Sequence, residues 1–431
     1  MGLLLAAPQS GSGKTTVTLG LLRALRRRGV PVRAAKSGPD HIDGRFHERA
    51  TGRPCPNLDA WAMGPRLLAS LASGDGPLVV EGAMGLFDGA PDGRGSAAHL
   101  ARLLGLSAVL VVDAARMAQS VGPLVAGFAR HDPALPLAGV ILNRVGSGRH
   151  LAALAPAAAA AGVPLLGALP RDPTLLLPSR HLGLVQAEEA EGLDLLLDRV
   201  ADAAERHLDL DRLLALAAHD ASAPPPRLPP PARRIALARD AAFSFAYPHL
   251  LAAWEAAGAT ILPFSPLADE PVPPADLVLL PGGYPELHAG ALARAGRFMR
   301  SLRDAAEAVD VHGECGGYMV LGETLEDADG HRHAMAGLLP LATSFRQRRL
   351  HLGYRAVHAP LGPFPGPWAA HEFHYASTLR AEGEPLLQAR DATGAALPPM
   401  GLRRGRASGS FAHLIAPLDP TDPAPALEAA P

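Results

Sequence analysis

Two runs of three prolines within Ala221–Arg233 (ASAPPPRLPPPAR) constrain this chain more than any other feature. Each proline fixes φ and removes a backbone donor, so the segment can form neither a helix nor an inner strand. It reads as a semi-rigid linker dividing the 431 residues into two pieces, each long enough for its own core. The expected layout is a first domain over 1–220, the linker at 221–233, and a second domain over 234–416. A Pro-, Ala- and Asp-rich tail at 417–431 reads as disordered.

Both pieces alternate apolar runs with helical patterns. In the first, Gly2–Ala7, Val32–Lys36, Leu78–Gly82, Ala108–Asp113 and Ala138–Asn143 read as strands, with a helix over Lys14–Arg28. In the second, Arg234–Ala238, Thr260–Phe264, Leu277–Leu280 and Ala308–His312 read as strands, with a helix near His249–Ala257. Strands that are apolar throughout and separated by helices predict parallel sheets covered on both faces, hence an α/β fold with two domains.

Composition excludes some functions. A net charge of −2 with no block of like charge offers no footprint for nucleic acid. Leu151–Pro170 is low in charge, but Pro156, Gly162 and Pro164 interrupt it, so it reads as a surface helix leading into a strand, not a membrane span. The stretch after Met1 has neither a basic segment nor a cleavage-like site, and two cysteines make no disulfide framework. A cytoplasmic protein is therefore expected; a homodimer is possible, and the residues leave that open. Among 40 basic residues only Lys14 and Lys36 are lysine. A compact ammonium on a slim stem does what a planar guanidinium cannot, so both positions point to chemistry.

Pro8-Gln9-Ser10-Gly11-Ser12-Gly13-Lys14-Thr15-Thr16 joins the first expected strand to the first helix. Glycines let backbone N–H groups converge on phosphate oxygens; Lys14 would reach the terminal phosphates and Thr15 would ligate Mg²⁺. Pro8 stands where the strict pattern has glycine, so this is a variant phosphate loop. Acidic residues follow two other strands, in Gly38–Asp43 and in Glu81–Gly89, at the carboxyl ends where open α/β sheets bind ligands. Such oxygen donors suit a hard cation. ATP and Mg²⁺ are thus the expected cofactors.

Gly313-Glu314-Cys315-Gly316-Gly317-Tyr318 has the G-x-C-x-G form of a nucleophile elbow, in which small neighbours permit a sharp strand-to-helix turn. The helix start behind Cys315 is expected to lower its thiol pKa. Gly282 and Gly283, ending another strand, suit an oxyanion hole together with Gly316, and His413 is the candidate base. Cys55, between two prolines, reads as a buried structural thiol. His371 and His374 lack further metal ligands at a fitting spacing. The basic cluster Arg346, Arg348, Arg349 and Arg355 fits a polycarboxylate or a solvated loop equally well.

The segments Lys36–Asp43, Thr51–Pro54, Asn57–Asp59 and Glu81–Gly89 resemble the phosphate-loop half of the cobyrinic/hydrogenobyrinic acid a,c-diamide synthase family, a half similar to dethiobiotin synthetase. The second half resembles class I glutamine amidotransferases of the corrinoid amide synthase branch. The likeness runs from Ala6 to about Ile415, through Arg180–Leu184, Phe264–Glu270 and His371–Tyr375. It implies ATP- and glutamine-dependent amidation of the a and c carboxylates of a corrinoid polycarboxylic acid through an acyl phosphate. It implies an ATP site of Gly11, Gly13, Lys14, Thr15, Thr16, Lys36 and Asn143, the last at an adenine-reading position. Thr15, Asp40 and Glu81 would hold the metal, and Asp43 and Asp88 would assist activation. Two departures stand out: His41 replaces the usual aromatic after Pro39-Asp40, and Ile415 stands where many class I amidotransferases carry a triad glutamate. The resemblance leaves another tetrapyrrole acid, such as Ni-sirohydrochlorin, or a cobyric acid synthase-like activity as rival readings. A partitioning-type switch ATPase would carry a signature lysine at Gln9 and no amidotransferase half.

Overall fold

The computed structural model describes residues 2–418 except 178, 181, 182, 185, 219–221 and 226. The expected tail beyond 418, part of the linker and part of the stretch Arg180–Leu184 lie outside the described residues. The chain divides into two compact units, Met1–Pro226 and Arg227–Pro431.

The first unit is built on seven strands: β1 (Leu3–Ala6), β2 (Arg33–Ser37), β3 (Asn57–Leu58), β4 (Leu78–Glu81), β5 (Ser107–Asp113), β6 (Leu137–Val145) and β7 (Leu165–Pro170). They lie in the order β3-β2-β4-β1-β5-β6-β7, every neighbouring pair parallel. Consecutive Leu3, Leu4 and Leu5 are all fully buried. Side chains alternate across a strand, so both faces of the sheet are covered, as unbroken apolar runs require. Chain order reverses at β1, between β4 and β5, which opens a ligand-binding crevice at the carboxyl ends of these strands. Helix α1 (Lys14–Arg27) leaves β1 across that crevice and packs against the helix Leu193–His207.

The second unit has a six-stranded sheet in the order Thr260–Phe264, Arg234–Ala238, Leu277–Leu280, Asp310–Glu314, Ala407–Ser410, Leu402–Arg404. Only the final pairing is antiparallel. The strand expected at Ala308–His312 lies instead at Asp310–Glu314, because the helix Gly296–Ala308 keeps its turns through Ala308 and pairing begins with Asp310 opposite Leu277. The sequence reading also missed two further sheets. One has five antiparallel strands: Ala396–Met400, Leu387–Asp391, His351–Ala359, Gly366–His374 and Ala412–Pro417. The other joins Arg332–Ala334, Thr324–Glu326, Leu341–Ser344 and Ser377–Ala381. Among the described residues no helix is long and apolar enough to cross a membrane.

Candidate active sites

Strand register assembles the first site. Lys36 on β2 is paired with Glu81 on β4, and Glu81 with Leu5 on β1, so the loop leaving β1 starts beside both side chains. Gly11 and Gly13 have φ of 79° and 83°, the left-handed region that favours glycine. A Cβ on Gly13 would also lie 2.2 Å from Asn143 Nδ2. Asn143 braces the loop from beneath: Nδ2 donates to the Ser12 carbonyl at 2.9 Å, and Oδ1 accepts from Arg144 N–H at 2.9 Å. Arg144 in turn donates to the Gly11 carbonyl. The amide that the resemblance set to read adenine is therefore engaged with the loop itself.

Thr15 Oγ1 donates to Glu81 Oε1 at 2.7 Å, and Lys36 Nζ lies 3.0 Å from that oxygen and 2.7 Å from Asp43 Oδ2. His47 Nε2 lies 2.7 Å from Glu81 Oε2, with its Nδ1 3.6 Å from Cys55 Sγ. Lys14 donates to the Met84 carbonyl. Asp40 Oδ1 accepts from Ile42 and Asp43 N–H, and Asp88, exposed, accepts from Gly85 N–H at 2.7 Å. Thr16 is half-buried on α1. The fold thus gathers Thr15, Lys36, Asp43 and Glu81 into one network, while Asp40 and Asp88 also shape turns beside it.

The partners in that network favour the charged forms of Glu81 and Lys36. Burial resists the charge on Glu81, yet Lys36 and then His47 hold its carboxyl well below the usual range. Burial likewise resists the Lys36 charge, and Asp43 and Glu81 outweigh it. His47 is held up to about 10 against burial by Cys55 and Glu81, and Asp43 is pushed up to about 6 by burial and by Asp40. Burial lowers the Lys14 ammonium. Sequence reading missed His47. Its signal was the four-residue spacing from Asp43, which sets both on one face of the helix Asp43–Thr51.

In the second unit Cys315 precedes the short helix Gly316–Leu321 with φ 46° and ψ −102°, a strained backbone for a residue with a side chain. Its N–H donates to the Ser410 carbonyl at 2.8 Å. No side chain fits at Gly317, where a Cβ would fall 1.8 Å from the Leu280 carbonyl oxygen. A Cβ on Gly282 would lie 2.3 Å from His413 Cε1, 2.9 Å from its Nε2 and 3.3 Å from Cys315 Cβ. Gly282, the His413 imidazole and Cys315 Cβ therefore converge at one point. Gly283 joins them, its nitrogen 3.1 Å from where a Gly316 Cβ would be. His413 arrives on the strand Ala412–Pro417, opposite His371.

The expected lowering of the thiol is corrected. Burial, then Glu286, push the Cys315 thiol up, and the six-residue helix behind it is too short to outweigh them. His413 is pushed down to about 3 by burial, His371 and His374. Both directions favour a neutral thiol and a neutral imidazole at rest. The missing ligands near His374 are also supplied by the fold: Glu372 and His351 stand within metal-binding reach of it. Glu372 is, however, already paired with Arg355 at 2.8 Å and His374 at 3.0 Å, and the His374 ring stacks on His351 and Phe411. Of the arginine cluster, Arg346, Arg348 and Arg349 are exposed.

Residues 3–185 match the CobQ/CobB/MinD/ParA nucleotide binding domain, and residues 234–420 match the CobB/CobQ-like glutamine amidotransferase domain. Proteins named hydrogenobyrinate a,c-diamide synthase are similar along nearly their whole length. The one from Brucella abortus biovar 1 is 57% identical over 428 residues, covering 96% of this chain and 98% of the relative. That from Rhodobacter capsulatus is 56% identical over 429 residues, with the same 96% and 98% coverage. That from Rhizobium meliloti is 54% identical over 425 residues, covering 96% and 99%.

Proposed function

Because the chain belongs to the hydrogenobyrinate a,c-diamide synthase family, we propose that it amidates the a and c carboxylates of a corrinoid acid, hydrogenobyrinic or cobyrinic acid, using ATP and glutamine in cobalamin biosynthesis. The reading is carried by one observation: a phosphate loop with an ionised Lys36–Glu81–Asp43 network and a cysteine elbow with a facing imidazole occur in one chain.

The oxide of a carboxylate is a poor leaving group; phosphorylation makes an acyl phosphate, and ammonia attacks its carbonyl carbon and displaces inorganic phosphate. In the first unit Gly11, Gly13 and Lys14 are placed to cradle the polyphosphate, and Lys36 to draw the transferring group toward an acceptor carboxylate near Asp43. The donor set fits a hard cation: Thr15 and Glu81 present oxygens 2.7 Å apart, and Glu81 is held ionised. Thr15, Glu81 and Asp40 would hold Mg²⁺, which supplies charge neutralisation at the phosphates. In the second unit His413 takes the Cys315 proton as sulfur attacks the glutamine amide carbon. N–H groups at Gly282, Gly283 and Gly316 would receive the developing oxyanion.

Cys315→Ala should abolish glutamine-dependent amidation while amidation with free ammonia continues; loss of both refutes the division of labour. Lys14→Ala should stop amidation from either nitrogen source, and normal amidation by that variant would refute the nucleotide assignment. Product mass after incubation with ATP, glutamine and each corrinoid acid identifies the acceptor.

A further inference from the structure

Ile415 leaves the cysteine site without a carboxylate two residues beyond its base, yet the fold brings one from elsewhere. Resting on Cys315 and His413 as the glutaminase pair, the geometry points to Glu314, the residue immediately before the nucleophile, as the positioning residue that faces Nδ1 of His413 and completes the site.

Glu314 Oε2 lies 3.8 Å from His413 Nδ1. Its other oxygen, Oε1, accepts from Leu414 N–H at 3.1 Å, which pins the carboxyl against the very strand that carries His413. The opposite edge of the imidazole, Cε1 and Nε2, meets Gly282, whose other neighbour is the Cys315 Cβ. One ring edge thus faces a carboxyl and the other faces the nucleophile. A carboxyl oxygen on the Nδ1 side favours the tautomer with the ring proton there, which leaves the Nε2 lone pair free to accept the thiol proton. In that transfer the S–H bond breaks, an Nε2–H bond forms, and the new positive charge sits beside Glu314.

The surroundings make the pairing matter. Leu237, Leu279, Leu280, Phe364 and Leu414 share a cavity of about 40 Å³ with Glu314. Burial there pushes the Glu314 carboxyl up to about 8, while burial, His371 and His374 push the His413 imidazole down to about 3. A charge on the imidazole is costly in such a place, so the imidazolium that forms when Nε2 takes the thiol proton gains from a carboxyl oxygen beside Nδ1. Glu372 is less suited to the task, since Arg355 and His374 already occupy its oxygens.

The test uses the full chain with L-glutamine and, separately, ammonium as nitrogen source. Glu314→Gln keeps shape and replaces the ionisable carboxyl by an amide that cannot ionise. We expect glutamine-dependent kcat to fall by on the order of 10²–10⁴-fold with little change in KM for glutamine, while ammonia-supported turnover continues. Glu314→Asp should recover part of that loss. Unchanged kcat in Glu314→Gln, or equal losses in the Asp and Gln variants, would overturn the assignment. If Glu314→Gln does not fold, Glu314→Asp decides alone: a lowered kcat at constant KM supports the role, and a change confined to KM overturns it. Cys315→Ala run in parallel separates the failures. If it too retains glutamine-dependent activity, the underlying reading falls; if it alone is inactive, only the Glu314 assignment falls.

Discussion

Glu81 and Glu314 each end a parallel strand, and each carboxyl is mostly withdrawn from water, yet their states differ. Glu81 is held ionised by Lys36 and His47, whereas burial pushes Glu314 up to about 8. The difference lies in the partners, not in the depth. Around Glu81 the fold places two cations within 3.0 Å, so desolvation is offset before any ligand arrives. Around Glu314 it places apolar side chains, and beside it an imidazole that burial holds toward its neutral form, so charge there is favoured only when a proton moves. An ionised centre suits a site that must grip phosphate and metal. A neutral one suits a nucleophile that should react only when its substrate is bound.

The contrast predicts how each centre breaks. Lys36→Met should cost the most, about 3–5 kcal/mol in denaturant unfolding of the first unit, because Glu81 and Asp43 lose their buried cation. A loss below about 1 kcal/mol would show that the network is not ionised. The neutral character of the second unit shows in acid. His249, fully buried with Nε2 2.7 Å from the Ile415 carbonyl oxygen, is pushed by burial from the ordinary 6.5 down to about 4. The unfolded chain therefore binds the proton first, and the stability this group gives above about 6.5 is lost as pH falls toward 4. In His249→Gln the stability deficit relative to the parent should shrink by roughly 2–3 kcal/mol between pH 7.5 and 4.5. A deficit that stays constant over that range contradicts a buried neutral ring. The smallest effect is expected at Asn143→Ala, which removes the amide under the phosphate loop and should cost about 1 kcal/mol of stability together with weaker nucleotide binding in titration calorimetry.

The sheet frameworks were legible because parallel strands write themselves as unbroken apolar runs, and Leu3–Ala6, Arg234–Ala238, Thr260–Phe264 and Leu277–Leu280 could be read that way. The phosphate loop and the elbow were legible because both need glycine at places no other residue can occupy, Gly13 and Gly317 among them. The antiparallel strands His351–Ala359 and Gly366–His374 were not, although they pair with each other as a local hairpin, since their burial alternates only partly. A different limit hid His47 and Glu314. Neither belongs to a motif by residue type alone; each matters through what strand register sets beside it. The thiol expectation reversed for a related reason: local helix geometry argues one way, and the surrounding carboxyls and burial, set by the whole fold, argue the other.

The scarcity of lysine has a practical side. A reagent that acylates primary amines finds only two side-chain targets in this chain, Lys14 and Lys36, with 7% and 3% of their surface open to solvent. Modification of Lys14 therefore reports opening at the phosphate loop and that of Lys36 the loss of its pairing with Asp43 and Glu81, and a bound polyphosphate would act as a shield whose protection can be read by peptide mass mapping.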